Sequence, residues 1–155
     1  MFLPNAVDVG NRLKSLCRTY GFEGCFPLDN TISGTNAKEI AQKIREANIA
    51  MIKACDCVIA NVSAFRGAEP DSGTVWEIGY AQALNKEVVA YASDRRTLKA
   101  KTQEILQLGN AENDAQGMAI EDFGLSHNLM FANCVVAGSF EECLAYLSTS
   151  LIKNT

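Results

Sequence analysis

Two short apolar runs with a helical stretch between them limit the possible folds of this chain most. They lie within residues 56–91. The runs at 57–62 and 88–91 are predicted to be buried strands. Glycine and turn residues bracket the acid-bearing stretch that separates them, so the whole segment predicts a βαβ unit. Such a unit belongs to a parallel sheet, in which the loop leading from a strand into its helix is the usual place for chemistry.

Other elements are predicted on both sides of this unit. Apolar residues at helical spacing predict helices at 5–20 and 35–52, the second of which is strongly amphipathic. The remaining predictions are strands at 22–28 and 134–137 and helices at 97–106, 126–132 and 139–152. Ser139 and Glu142 have the spacing of a capping box at the start of the last helix. The polar stretch that follows Arg96 is expected to form a mobile flap.

This order of elements predicts one α/β domain over residues 1–155. We expect a doubly wound, mostly parallel sheet of four to five strands with helices on both faces, similar to flavodoxin or Rossmann folds. The length of 155 residues suffices for one core without disulfides or structural metals.

Composition excludes several classes of function. A net charge of -4 offers no basic surface for a nucleic-acid backbone, and the apolar runs are too short to cross a bilayer. The six cysteines form no C-x-x-C pair and are expected to be thiols of a cytosolic protein. We expect no metal, because His127 is the only histidine and Cys55 and Cys57 would point to opposite faces of a strand.

Asp71 and Glu77 are the first candidates for chemistry. Asp71 and Ser72 can cap the helix of the βαβ unit, and Gly73 lets a ligand approach the backbone N–H groups at its start. Glu77 follows one to two turns into the helix. Two carboxylates beside one cleft suit the cleavage of a glycosidic bond, but a cap and a solvated helix residue would give the same pattern. The pattern leaves both interpretations open.

Weaker candidates lie in three other loops. Asp29 and Asn30 follow the predicted strand at 22–28, where they are either ligand contacts or ordinary turn residues. The dipeptide Arg66-Gly67 either touches a ligand or belongs to an exposed loop. In the pair His127-Asn128, the histidine is more typical of a surface or capping residue and the asparagine of a helix cap.

Four motifs in this chain occur together and in order. They are FPLDN at 26–30, ANVSAFRGAEPDSGTVWEIGYAQALNK at 60–86, SDRR at 93–96 and HNLM at 127–130. Their combination resembles the nucleoside 2-deoxyribosyltransferase family, most closely its shorter members that carry the S-D-R-R segment. The resemblance covers nearly the whole chain.

The resemblance implies a role for each candidate. Glu77 would attack the anomeric carbon of a 2'-deoxynucleoside, and Asp71 would assist proton transfer at the base. Asn128 matches an asparagine that a neighbouring subunit supplies to position the nucleophile, which implies a homo-oligomer. Asp29 and Asn30 match the loop near the base. The resemblance also implies a reaction without a metal or organic cofactor.

Two departures from the family pattern stand out. Members begin with a strand of the type I-Y-L-A-G-P, whereas this sequence starts Met1-Phe2-Leu3-Pro4, so that strand is expected to be missing. One branch of the family has an aspartate in the helix before the third strand, and the aligned residue here is Asn48.

Two other functions remain open at this stage. One is hydrolysis of the N-glycosidic bond of a nucleoside 5'-monophosphate, for which Ser72 could offer a phosphate contact. The other is a nucleotide-binding module without turnover, which the presence of both Asp71 and Glu77 disfavours.

Overall fold

A computed structural model describes residues 4–150, which form five α-helices and three β-strands. In chain order these are α1 (Ala6–Thr19), α2 (Ala37–Ala54), β1 (Cys57–Asn61), α3 (Ser72–Ala83), β2 (Glu87–Tyr91), α4 (Leu98–Ile105), β3 (Val135–Ala137) and α5 (Phe140–Ser150). Single 3-10 turns occur at Pro27–Asp29 and Leu129–Phe131.

The three strands form one parallel sheet in the order β1-β2-β3. Cys57 pairs with Glu87 and Asn61 with Tyr91, so β1 and β2 match along their whole length. This arrangement confirms the predicted βαβ unit and the α/β class. Residues 4–150 contribute three strands to this sheet, whereas four to five were expected for the whole chain.

Helices cover both faces of the sheet. On one face, Ile52 of α2 and Ile78 of α3 pack with Val88 and Ala90 of β2. On the other face, Cys143 and Leu147 of α5 pack against Val89 of the same strand. Because β2 is apolar on both sides, it reads as a continuous apolar run, as expected of a central parallel strand.

The strand predicted at 22–28 does not form. Residues 22–26 are extended but belong to no ladder, and the Phe22 N–H donates back to Cys17 O at 2.9 Å. Pro27 then begins a 3-10 turn. Phe22, Gly24 and Phe26 are half-buried, whereas Glu23 and Cys25 are exposed. One-sided burial of an extended segment therefore produced the alternation that suggested a strand.

Other boundaries differ less from the sequence predictions. The helix predicted at 126–132 shrinks to the 3-10 turn Leu129–Phe131. The cap predicted at Ser139 is confirmed, since its Oγ accepts the Glu142 N–H at 3.2 Å. The predicted end of the last helix at residue 152 lies outside the described residues. The expectation of a missing first strand rests partly on Met1–Leu3, which also lie outside them.

Within residues 4–150, β1 pairs only with β2. The Val62 N–H donates to Tyr91 O at 2.9 Å, so alternation along β1 turns the backbone groups of Ile59 and Asn61 away from β2. This edge of β1 faces the space in front of residues 22–26. The sheet therefore ends at an open edge beside the extended segment.

Among the described helices, none has the length and apolar character needed to span a membrane. All six cysteines are free thiols, of which Cys25 is exposed. No group of three or more histidine, cysteine, aspartate or glutamate side chains within residues 4–150 is arranged to hold a metal ion.

Adding a methyl group to either of two helical glycines, Gly10 and Gly79, should change the stability of the protein in opposite directions. A Cβ on Gly10 would lie 2.5 Å from the Phe26 ring, whereas a Cβ on Gly79 would meet nothing within 4 Å. Alanine in a helix interior is favoured over glycine by about 1 kcal/mol. We expect Gly79→Ala to raise the free energy of unfolding by up to about that amount. Gly10→Ala should lower it, because the half-buried ring must move. Urea unfolding of both variants tests this, and equal stabilisation by both would contradict the packing described for Gly10.

Candidate active site

Asp71 fixes the start of α3. Its backbone is extended, and its Oδ2 accepts the N–H groups of Gly73 at 3.0 Å and Thr74 at 3.2 Å. The carboxylate thus satisfies two of the N–H groups that a helix leaves unpaired at its start. Both bonds end on Oδ2, so Oδ1 is the oxygen left for a ligand.

Glu77 lies in α3 and is half-buried. Its Oε1 accepts a hydrogen bond from the side-chain amide of Asn48 in α2 at 3.0 Å. Burial raises the pKa of the Glu77 carboxyl; the Asn48 hydrogen bond lowers it, and the nearby Asp71 carboxylate raises it. Together these effects raise the pKa of Glu77 above its usual value.

Both carboxylates line one cleft, formed by two adjoining cavities of about 690 and 210 Å³. Its walls are α1 and the extended segment on one side and β1 with the loop after it on the other. The first turns of α3, Asn48 of α2 and Phe140 of α5 close it. The open edge of β1 thus forms one wall, which places the cleft beside the carboxyl end of that strand.

The structure brings three of the predicted site residues together in the cleft: Asp71, Gly73 and Glu77. The other six lie outside the lining of the two cavities: Asp29, Asn30, Arg66, Gly67, Ser72 and Asn128. Their roles remain predictions.

Asp29 is held from two sides. It pairs with Lys14 of α1, and its Oδ2 accepts the Phe26 N–H at 2.9 Å. The Lys14 hydrogen bond is the main cause that lowers the pKa of Asp29. Asp29 and Asn30 are exposed beside the rim formed by Pro27.

Arg66 and Gly67 form the tip of the loop between β1 and α3. Arg66 adopts a left-handed conformation with φ 54°, which is uncommon for a residue with a side chain. The Phe65 N–H donates to Glu69 O at 2.9 Å and closes the loop, while the Arg66 guanidinium lies 5.1 Å from the centre of the Phe65 ring. Phe65 in turn lines the cleft.

Asn128 has partners within its own chain. Its side-chain amide donates to Glu121 at 2.6 Å, and its Oδ1 accepts the Met130 N–H at 3.1 Å, which caps the 3-10 turn. The neighbouring His127 is buried, and its Nε2–H donates to Val62 O at 2.9 Å. This bond ties the carboxyl end of β1 to the segment just before the 3-10 turn Leu129–Phe131.

Charge within the cleft is mostly negative. Among its described lining residues Lys14 is the one cation, and it is already paired with Asp29, whereas Glu23, Asp71 and Glu77 are acids. Much of the remaining lining is apolar or neutral. Such a cleft suits an uncharged ligand on which a positive charge develops during reaction.

Sequence reasoning did not assign Asn48 its contact with Glu77. The signal available was an amide between Ala47 and Ile49, within the apolar stripe of α2, where a polar side chain needs a partner. Spacing could not name that partner, which lies 29 residues further along the chain.

The chain is similar to known proteins in sequence and in fold. The family model described as nucleoside 2-deoxyribosyltransferase matches residues 1–130. A solved 2-deoxyribosyltransferase from Leishmania mexicana is 35% identical and superposes with a TM-score of 0.75, covering 94% of this chain and 89% of that one. An uncharacterised protein of Schizosaccharomyces pombe is 26% identical over 148 residues, which are 84% of this chain and 70% of that protein.

The His127 contact predicts a pH dependence of stability. Burial lowers the pKa of His127 in the folded protein, so the unfolded chain binds its proton more readily. The stability that the neutral ring contributes is present above the usual histidine pKa of about 6.5 and falls as the pH is lowered through that value. Urea unfolding at pH ~7 and ~5.5 should show a larger loss for the wild type than for His127→Gln. An equal loss in both proteins would contradict this.

Proposed function

The chain is a member of the nucleoside 2-deoxyribosyltransferase family, and on that premise we propose that it transfers a 2-deoxyribosyl group from one nucleobase to another. The observation that carries the proposal is the pair of carboxylates, Asp71 and Glu77, in one cleft with little positive charge. The proposed reaction proceeds by two displacements with net retention and uses no metal or organic cofactor.

In the first displacement, a Glu77 carboxylate oxygen forms a bond to the anomeric carbon. The bond from that carbon to the base nitrogen breaks, and its electron pair stays on the base. A base is a poor leaving group as an anion, so the Asp71 carboxyl, which is protonated in the reacting form of the enzyme, delivers its proton to the departing base. The products are a neutral free base and a deoxyribosyl ester of Glu77.

In the second displacement, a nitrogen of the incoming base attacks the same carbon from the face that the first base left. The ester bond to Glu77 breaks and the carboxylate is restored, while the proton of the incoming base passes to Asp71. Atoms, charge and protons balance over the cycle. Asp71 suits this role because its Oδ1 is not used by the helix cap.

The cleft supports a nucleoside in preference to a nucleoside 5'-monophosphate. A phosphate needs cations or unpaired N–H groups at a helix start. Lys14 is already paired with Asp29, and Asp71 occupies the N–H groups of Gly73 and Thr74. These contacts favour an uncharged 5' end.

Within this proposal, Asn128 reaches the site of a neighbouring subunit, so the enzyme works as a homo-oligomer. Met130 and Leu129, which follow it, are exposed apolar side chains that could be covered by such a subunit. Asp29, Asn30, Arg66, Gly67 and Ser72 would contact substrate from the rim. The six free thiols suit the reducing cytosol, where free bases would be salvaged.

Exchange between deoxyinosine and adenine tests the reaction. We expect the wild type to form deoxyadenosine, and Glu77→Gln to lose on the order of a thousandfold or more in rate while still folding. Glu46→Gln, at an exposed residue of α2, is the matched control and should keep full activity. Release of hypoxanthine without deoxyadenosine would indicate the hydrolase instead.

Trapping locates the nucleophile. A 2-fluorinated deoxynucleoside should leave a covalent sugar on Glu77 that peptide mass spectrometry can place. A sugar attached to any other residue would refute the mechanism.

The raised pKa of Glu77 predicts where activity declines in acid. Only the ionised carboxylate attacks, so kcat/KM should fall as the pH drops through the raised pKa, at a higher pH than for an ordinary glutamate. The pH profile of kcat/KM measures this, and an acid limb within or below the ordinary glutamate range would contradict the described environment.

A further inference from the structure

We propose that Glu121 is a positioning residue for Asn128, whose side-chain amide it holds in one orientation so that a single N–H remains to meet a second subunit. The catalytic meaning of this contact rests on the proposed function, in which Asn128 reaches the site of a neighbouring subunit. The contact itself lies within one chain and can be measured without substrate.

Glu121 contacts Asn128 and the residue after it through separate oxygens. Its Oε2 accepts the Asn128 side-chain amide at 2.6 Å, and its Oε1 accepts the backbone N–H of Leu129 at 2.6 Å. Both distances are short for an N–H···O hydrogen bond, as is usual when the acceptor is a carboxylate. This two-oxygen contact is called the Glu121 clamp.

The Glu121 clamp leaves the Asn128 amide one orientation. The amide nitrogen faces Glu121 Oε2, and the amide oxygen accepts the Met130 N–H at 3.1 Å. Turning the amide over would set its oxygen against the carboxylate and its NH₂ against the Met130 donor, so both hydrogen bonds would be lost together. Among the hydrogen bonds of residues 4–150, none uses the second N–H of this amide. That N–H is the donor left for a neighbouring subunit.

The turn that carries Asn128 is fixed on both sides. Before it, the His127 ring is buried and bonds Val62 O at 2.9 Å. After it, Phe131 is buried in the core on one face of the sheet. Met130 lies between these anchors and is 76% exposed. A fixed backbone with an exposed tip suits a side chain that has to be presented to another subunit in one direction.

Glu121 is itself held by its neighbours in the chain. The Ile120 N–H donates to Glu112 O at 2.9 Å, and the Asp122 carboxylate pairs with Lys99 of α4 at 2.8 Å. The residues on both sides of Glu121 are therefore bonded, and its side chain is half-buried. A carboxylate held in this way can orient another side chain.

A role limited to stabilising the turn differs from a positioning role in what it requires. Stabilisation needs only a donor facing an acceptor, whereas positioning also needs residue 128 to donate a hydrogen bond to the partner. Exchanging acid and amide in the double variant Glu121→Gln with Asn128→Asp separates the two. The new glutamine can donate to the new aspartate, whose other oxygen still accepts the Met130 N–H, but the aspartate donates nothing.

Nuclear magnetic resonance measures the Glu121 clamp in the substrate-free protein. We expect the Leu129 N–H to be protected from hydrogen exchange, and Glu121→Gln to reduce that protection about tenfold or more. The matched control is Glu112→Gln, at an acid with a 74% exposed side chain, which should leave the protection unchanged. Unchanged protection in Glu121→Gln would overturn the proposal.

Base exchange measures the catalytic role. We expect Glu121→Gln to lower kcat about 10- to 100-fold, the range for losing a hydrogen bond to a charged group, and Glu112→Gln to keep the wild-type rate. In urea unfolding, the double variant should regain the stability that Glu121→Gln loses, while its activity stays low. Recovery of activity together with stability would show a purely structural role and refute the positioning role.

Mixed oligomers show which subunit's site Glu121 serves. Glu77→Gln and Glu121→Gln are unfolded together in urea and refolded, so that subunits pair at random. In a mixed pair, the intact Glu77 of one subunit meets the intact Glu121 and Asn128 of the other, so about a quarter of the wild-type activity should return. Activity no higher than that of Glu121→Gln alone would contradict the presentation of Asn128 to a second subunit.

The failure of this proposal and the failure of the proposed function are distinguishable. A wild type that shows the Glu121 clamp but exchanges no bases rejects the proposed function, and with it the catalytic role of Glu121. An active wild type in which Glu121→Gln changes neither the Leu129 protection nor kcat overturns the positioning role alone.

Discussion

Parallel pairing of β1 with β2 is the constraint on which the rest of the structure depends. Parallel strands cannot be joined by a tight turn, so the chain must leave β1 at Asn61 and return over the face of the sheet. The return path includes α3, and its first turns line the cleft together with the carboxyl end of β1. Asp71 and Glu77 are therefore brought to the cleft by the crossover itself, before any specific contact is made.

The proposed reaction needs the half-buried carboxylate of Glu77 in its charged form. Removing Glu77 from water costs free energy, and the Asp71 carboxylate adds repulsion. Two features limit that cost. The helix start absorbs part of the Asp71 charge through two N–H groups, and Asn48 donates to Glu77 without bringing a counter-charge. A cation in place of Asn48 would neutralise the nucleophile that the proposed reaction needs.

Features that depend on residues close together in the chain could be predicted from the sequence, whereas features that depend on contacts between distant segments could not. The strands and helix of the βαβ unit, and the cap formed by Asp71, depend on neighbours in the chain and were predicted correctly. The prediction of a strand at 22–28 was wrong. Apolar and polar residues alternate there because one side of the extended segment is buried, and the pattern does not reveal that a partner strand is missing. The hydrogen bond from Asn48 to Glu77 joins α2 to α3. Its only sign in the sequence is a polar residue within the apolar stripe of α2.

The bond from His127 to Val62 has a consequence for the order in which the protein folds. It spans 65 residues, while the bond between Asn48 and Glu77 spans 29. Contacts of such separation form only after long loops have closed, which makes them slow compared with helices and caps. The two carboxylates can reach the cleft early, with the βαβ unit, but the end of β1 is secured only when the last third of the chain docks. A nascent chain released before that point would hold the reactive groups without the anchored loop that shapes their surroundings.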